Sequence, residues 1–248
     1  MYFTRIRFFL LVTLVGASVF ADQSPEALRG FRADRTSGQI RGEEPEHNEV
    51  DILLIENALR AAKLEKTQTD QDELIAKSRL QYQRELYQMA KSVYEKHASS
   101  DEELERALML LQMSEARAAE TRAKATVNNE EVEIWELKLK EKKDDQPYPV
   151  KMAECFVDLW TARSEAAKAE TQGARAQSDF WKRAWERRKK LALGTAISQE
   201  ELLRVTSKRD DAVILLAVSE KKETDILSFV DKAKKDLEDI SNKNPQRK

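Results

Sequence analysis

SDEELERA at residues 100–107 and SQEELLRV at residues 198–205 each mark the start of a helix inside a long helical stretch. A Ser hydroxyl accepts from the amide of the third helical residue, and the Glu at that residue (Glu103, Glu201) reaches back to the Ser amide. A Ser in mid-helix needs no such capping box. Gly194 lies just upstream of the second box, suited to the left-handed residue that closes a helix. Ile197 and Leu202 then fall on the two positions of a hydrophobic staple. The first box has no Gly before it. KHASS (96–100) is compatible with a turn without demanding one, and one continuous helix from about 48 to 144 is the competing reading there.

On either side of these turns the chain keeps a heptad pattern. Ile52, Ile55, Leu59, Ala62, Ala76, Leu80, Tyr87, Ala90 and Tyr94 share one seam at 3–4 spacing, and Leu104, Ala107, Leu111, Ala118, Ala125, Val132, Trp135 and Leu139 continue it after the turn. Shifting the first seam by about 98 residues gives Val150, Ala153, Val157, Trp160, Ala174, Ser178, Trp185 and Arg188. The same shift of the second gives Leu202, Val205, Arg209, Ala212 and Leu216, with Ile226, Val230, Ala233, Leu237 and Ile240 in phase. Period and phase that agree at a fixed offset are the sign of an internal duplication. The expected fold is all-α: two consecutive long antiparallel coiled-coil hairpins, four long helices in all, packed as an elongated bundle. Arms of about 42–48 residues reach roughly 65–70 Å. Lys66, Thr69 and Glu73 occupy seam positions in the first arm, which is expected to be wet and weak there unless something covers it.

The breakers set the boundaries. Residues 22–48, with Gly30, Gly38, Gly42, Pro25 and Pro45, read as a flexible tether. No Gly or Pro occurs from Glu46 to Gln146, and the first hairpin is placed at 49–145 with its turn near 97–100. Pro147 and Pro149 separate it from a second hairpin at 149–241, turning near 194–198, with a disordered tail at 242–248. Charged residues make up 35% of the chain and aromatics 7%, a mixture that suits long helices burying narrow stripes. The net charge of −2 offers nothing to a polyanion, so nucleic acid is excluded as a partner class. Residues 1–21 have the three parts of a secretory signal peptide: Arg5 and Arg7, then the apolar run FFLLVTLVGASVF (8–20), then cleavage after Ala21. The expected location is extracytoplasmic, periplasmic or extracellular.

Chemistry is sparse. Neither His47 nor His97 has a spaced carboxylate or thiol partner, and Cys155 is the only cysteine, so no metal site and no cofactor are expected. Phosphate loops and nucleophile elbows are absent. Glu130–Glu131 and Asp144–Asp145 read as solvated acids, and Cys155 as a small, partly buried apolar residue. Trp160 and Trp185 fall on the seam, while Trp181 extends the stripe sideways. Arg187, Arg188, Lys189 and Lys190 complement a helix C-terminus. No enzyme is expected and no small-molecule substrate is evident.

Arg187, Leu191 and Ser198 are spaced Arg-x3-Leu-x6-Ser, and LALGTAISQEEL (191–202) carries a Gly, an Ile-Ser and following acids. This resembles the tip of the α-helical hairpin in periplasmic adaptor (membrane fusion, HlyD-like) proteins of efflux pumps and type I secretion systems. The resemblance covers about residues 150–240 and only the hairpin, with no lipoyl or β-barrel domain. It implies that Arg187 and Ser198 supply polar contacts and Leu191 an apolar knob to a protein partner, such as a TolC-like channel. The function expected is an exported structural or interaction protein of the bacterial envelope. The alternatives are a periplasmic helical chaperone or client-binding module, and self-association into a homo-oligomer.

Overall fold

A computed structural model describes residues 44–194 and 197–243. Four long α-helices follow one another: α1 (Glu44–Glu95), α2 (Asp101–Asp144), α3 (Pro149–Leu193) and α4 (Gln199–Lys243). No strand occurs among the described residues. With 52, 44, 45 and 45 residues the helices run about 66–78 Å. The fold is all-α, built of two antiparallel hairpins.

Cross-helix pairs fix the register. Between α1 and α2, Asp51–Lys142 (2.8 Å), Lys63–Glu136 (2.8 Å) and Arg84–Glu115 (3.6 Å) run as rungs from the base toward the turn. Between α3 and α4, Trp160 stacks on Phe229 with centroids 4.7 Å apart, Glu170 meets Lys222 at 2.6 Å, and the Arg209 guanidinium lies 4.3 Å from the Trp185 ring. The two hairpins lie side by side through α2 and α3, while α2 and α4 do not touch. Both turns therefore emerge at one end of a serial, up-down-up-down array.

That order decides what is buried. α4 packs on α3 and buries one stripe: Val205, Ala212, Ser219 and Val230. α2 and α3 each have two neighbours and carry a second stripe. On α2 it runs Met109, Ala116, Ala123 and Leu137, at heptad spacing. Gly173 of α3 sits opposite Ala116, so close that a Cβ added to it would meet the Ala116 Cβ at 3.2 Å. Ile134 and Leu137 pack with Cys155 and Leu159 near the base.

The middle of the α1·α2 seam is polar, and it is satisfied. Asn128, buried on α2, donates its Nδ2–H to the Thr69 hydroxyl at 2.5 Å, and that hydroxyl donates to the Glu65 carbonyl at 2.9 Å. Glu73 meets Lys77 at 2.7 Å and Arg122 at 3.7 Å. The Lys77 hydrogen bond, ahead of any other cause, holds its carboxyl below the usual range. A buried Asn bonded to one hydroxyl opposite it fits one register only.

The capping box at Ser100 forms as the sequence predicts, while His97, Glu201 and Gly194 depart from expectation at the two turns. At the first, Ser100 accepts from the Glu103 amide (3.3 Å) while Glu103 accepts from the Ser100 amide (3.0 Å), a complete capping box that ends the continuous-helix alternative. α1 closes through His97, whose φ of 56° is left-handed. The His97 amide donates to Tyr94 O (2.8 Å) and the Ala98 amide to Val93 O (3.1 Å), the two bonds of a Schellman closure. At the second turn the box is half made: Ser198 accepts from the Glu201 amide at 3.1 Å, but the Glu201 carboxylate takes the Arg188 Nε–H at 2.9 Å. Gly194 is not left-handed, with φ −91°. Its amide bonds back to Leu191 O at 3.1 Å, which any residue could do.

Two boundaries also move. α1 begins at Glu44, so 44–48 belong to a helix rather than to the tether; Pro45 is tolerated there because first-turn amides need no intrahelical partner. α4 runs to Lys243, two residues into the expected tail. The expected signal peptide (1–21), the part of the expected tether at 22–43, Thr195, Ala196 and residues 244–248 of the expected tail lie outside the described residues.

A left-handed backbone costs an L-residue about 1–2 kcal/mol, and Gly returns part of that gain through its freer unfolded state. His97→Gly is expected to stabilise the protein by about 1 kcal/mol, roughly 2–4 °C in Tm for a chain of this size, while His97→Ala changes little. Thermal unfolding followed by circular dichroism checks this. A Tm for His97→Gly at or below that of the parent would mean the turn does not hold His97 left-handed in solution.

Candidate functional site

The end of the array that carries both turns is also where its charges converge. α2 starts there with Asp101, Glu102 and Glu103, and α3 ends there with Arg183, Arg187 and Arg188. Acids in a first turn and bases in a last turn each complement the helix dipole. Antiparallel packing brings the two sets face to face. Arg187 Nη1 bonds Glu105 Oε2 at 2.7 Å, with Arg183 Nε 3.7 Å from the same oxygen. Arg188 bridges both hairpins, reaching Glu102 of α2 at 3.0 Å and Glu201 of α4 at 2.9 Å. Lys189 lies over the Trp185 ring at 4.9 Å. The basic run is thus only partly a dipole partner, because its two arginines brace α2, α3 and α4 together.

Of the three residues singled out by the tip spacing, Arg187 is half-buried and turned inward on Glu105. Its Nε and Nη2 are buried without an acceptor, as is the Ser99 hydroxyl. Ser198 is exposed and caps α4. Leu191 is exposed, with Leu193 beyond it, and the first turn shows Met89 and Val93. The tip end therefore offers apolar side chains on a charge-braced base. The inter-hairpin arginine contacts were not legible in the sequence. Their only sign is an Arg three or four residues from another on α3 matched by two acids early in α2.

Away from the tip, the one gathering of metal-type donors among the described residues is Glu130, Glu133 and Cys155, whose ligand atoms lie within 4.8 Å of one another. No local spacing announces it, because the acids are 22–25 positions from the thiol and meet it only across α2·α3. Cys155 is buried in an apolar cluster, and that burial, with Glu133 and Glu130 adding to it, pushes its thiol up to about 11. Glu130 is raised too, by burial first and by Asp158 and Glu133 next. Lys151 sits 3.6 Å from Glu133 and balances it. A thiol held protonated is a poor ligand and a poor nucleophile.

An open groove of about 820 Å³ lies above this cluster, lined by Lys63, Lys66, Val132, Leu137, Lys140 and Tyr148 among others. Lys63 is paired with Glu136, Lys140 covers the Tyr148 ring at 4.8 Å, and the Tyr148 hydroxyl bonds Asp144 at 3.2 Å. Of the other paired acids, Glu131 meets Arg163 at 2.8 Å. The three tryptophans of α3 are packing residues: Trp160 on Phe229, Trp185 under Arg209, and Trp181 edge-on to Phe180 at 5.1 Å.

Cys155 gives a pH test. Its thiol pKa is raised on folding, so its contribution to stability is complete below the unfolded value, near 9, and is lost as pH rises toward about 11. Iodoacetamide is expected to label Cys155 at least tenfold more slowly in the native protein than in urea at pH 8. Intact-mass time courses measure it. Equal rates in the two states would mean that the base of α2·α3 is open in solution.

Comparison with protein-family models, with curated proteins and with solved structures finds no match to this chain.

Proposed function

We propose that this chain is an exported structural and interaction protein of the bacterial cell envelope, a rigid pair of helical hairpins that docks a protein partner at the end carrying both turns. The observation that carries the reading is the pairing, at that one end, of exposed Leu191 and Leu193 with the Arg187–Glu105 and Arg188–Glu102 contacts beneath them. A docking tip needs apolar anchors on a rigid base. Arginine pairs across α2·α3 and α3·α4 supply the rigidity, while the last turn of α3 supplies the anchors. The Arg-Leu-Ser spacing supports an adaptor-like tip and a TolC-like channel as partner. In this geometry Arg187 acts through the brace, and Leu191 makes the contact.

Export and docking are tested separately. The mature chain is expected to begin at Asp22, and intact mass of protein from the extracytoplasmic fraction reads this directly. A mass that retains residues 1–21 would mean the segment is kept as an anchor or is not a signal.

For docking, the mature protein is titrated with a purified TolC-like channel. Leu191→Asp is expected to weaken binding at least tenfold with helicity and Tm within error of the parent, since Leu191 is already exposed. Val93→Asp at the first turn is the matched control and is expected to bind as the parent does. A large fall in Tm for Leu191→Asp would make it a packing residue. Parent-like binding by both variants, or none by the parent, would remove the tip from consideration.

A further inference from the structure

The duplication and the packing order together point to a contact that the single chain leaves unmade. In one copy of the repeat, α3 meets α2 through Gly173 on Ala116 and Arg187 on Glu105, and buried Phe180 lies midway between them at heptad spacing. The positions 98 residues earlier on α1 are Ile75, Tyr82 and Met89. All three are exposed. The contrast is sharpest at the aromatic: Phe180 is 1% exposed, Tyr82 59%.

The partner face behaves the same way. α2 meets that stripe with Glu105 and Ala116, and 98 residues on, α4 presents Leu203 and Ile214, with Val218 one turn further. These three are exposed as well. So the outer helices carry, at the repeat-equivalent positions, an apolar version of the interface that the inner helices have already formed.

We infer that α4 of one copy packs against α1 of another in the register that α2 adopts on α3. Transferring the observed pairs gives the contacts. Gly173 against Ala116 becomes Ile75 against Ile214, and Arg187 against Glu105 becomes Met89 against Leu203. The bulk of two isoleucines sets these helices further apart than the Gly–Ala pair does.

The occupant is a second copy of this chain because the face it must match is the other face of the same repeat. The contact is confined to the half nearest the turns. Toward the base, Ile134 and Leu137 are replaced by Lys232 and Lys235, and Cys155 by Asn57, all solvated. A contact between unlike faces leaves a free α1 and a free α4 at the ends, so it propagates into a row of hairpins or closes into a ring.

The test uses the mature chain in a Cys155→Ala background. Ile75→Cys and Ile214→Cys are made in separate chains and treated with a short bismaleimide. A covalent dimer is expected on mixing the two and not with either alone. Dimers from Ile75→Cys alone would show like faces meeting and overturn the inference. Absence of dimers on mixing, with a sedimentation mass of one chain at the highest concentration, would overturn it too.

A second pair of variants guards against a crosslinker that misses. Met89→Arg should cut association at least tenfold at unchanged helicity, and adding Leu203→Glu in the same chain should restore it, since the pair recreates Arg187–Glu105 between copies. Normal association by Met89→Arg alone, or failure of the double variant to recover what Met89→Arg loses, would place the contact elsewhere. None of these readouts involves a tip partner, so they stand or fall apart from the docking reading.

Discussion

The close approach of α2 and α3 is the constraint on which the rest of the molecule depends. Gly173 sits against Ala116 with no room for a Cβ at ordinary contact distance, and the buried positions around it are mostly alanines: Ala123, Ala162 and Ala169. Small residues bring backbones near enough for dispersion along the whole length, but each buries little apolar area. A seam of this kind holds by extent, not by any single anchor. It also decides the order of the array. With α3 committed to α2 on one side and to α4 on the other, α2 and α4 stay apart, and Tyr82 and Met89 of α1 and Leu203 and Ile214 of α4 stay exposed.

Alanine stripes at heptad spacing are nearly indifferent to a slip of seven residues, so register has to come from elsewhere. Polar groups provide it at two heights. Halfway along α1·α2, buried Asn128 donates across the seam to the Thr69 hydroxyl. At the tip, Arg187 gives up solvent for one carboxylate and leaves Nε and Nη2 without acceptors. Desolvating a guanidinium for a single bond stabilises little. Its effect is on placement, because this bond forms only where Glu105 of α2 stands opposite Arg187 of α3.

Most of the fold was legible in the sequence because it rests on local rules. Heptad phase gave four helices, and the Ser-x-x-Glu boxes gave both turns, with helix starts within two residues of Ser100 and Ser198. What escaped depended on non-local packing. The second stripes of α2 and α3 are rows of Ala and Gly, which carry almost no hydrophobic signal, so a single seam per helix was all that periodicity could show. His97 took the left-handed closure that composition assigned to Gly194. Two backbone bonds to Val93 and Tyr94 outweigh the strain, and no residue preference announces that. At the candidate site, the exposure of Leu191 followed from its place near a turn. The inward turn of Arg187 did not, because Glu105 is 82 positions away in the chain.

Divergence between the two repeats follows a physical logic. Where the interface lies inside one chain, Arg187 and Glu105 meet; at the equivalent places on the outer edges stand Met89 and Leu203. Within a chain the two charges are held close by the hairpins at high effective concentration, and their desolvation is offset by the folding of everything around them. On an outer edge these side chains face water until something arrives. A charge there would lose hydration on contact with only a distant acid to compensate, whereas a Met or Leu gains by leaving water. Charged side chains would keep the edges soluble and solitary. Apolar ones at Ile75, Tyr82 and Met89, ringed by Asp72, Arg79 and Arg84, give instead a narrow stripe that a complementary helix can cover while its flanks stay wet.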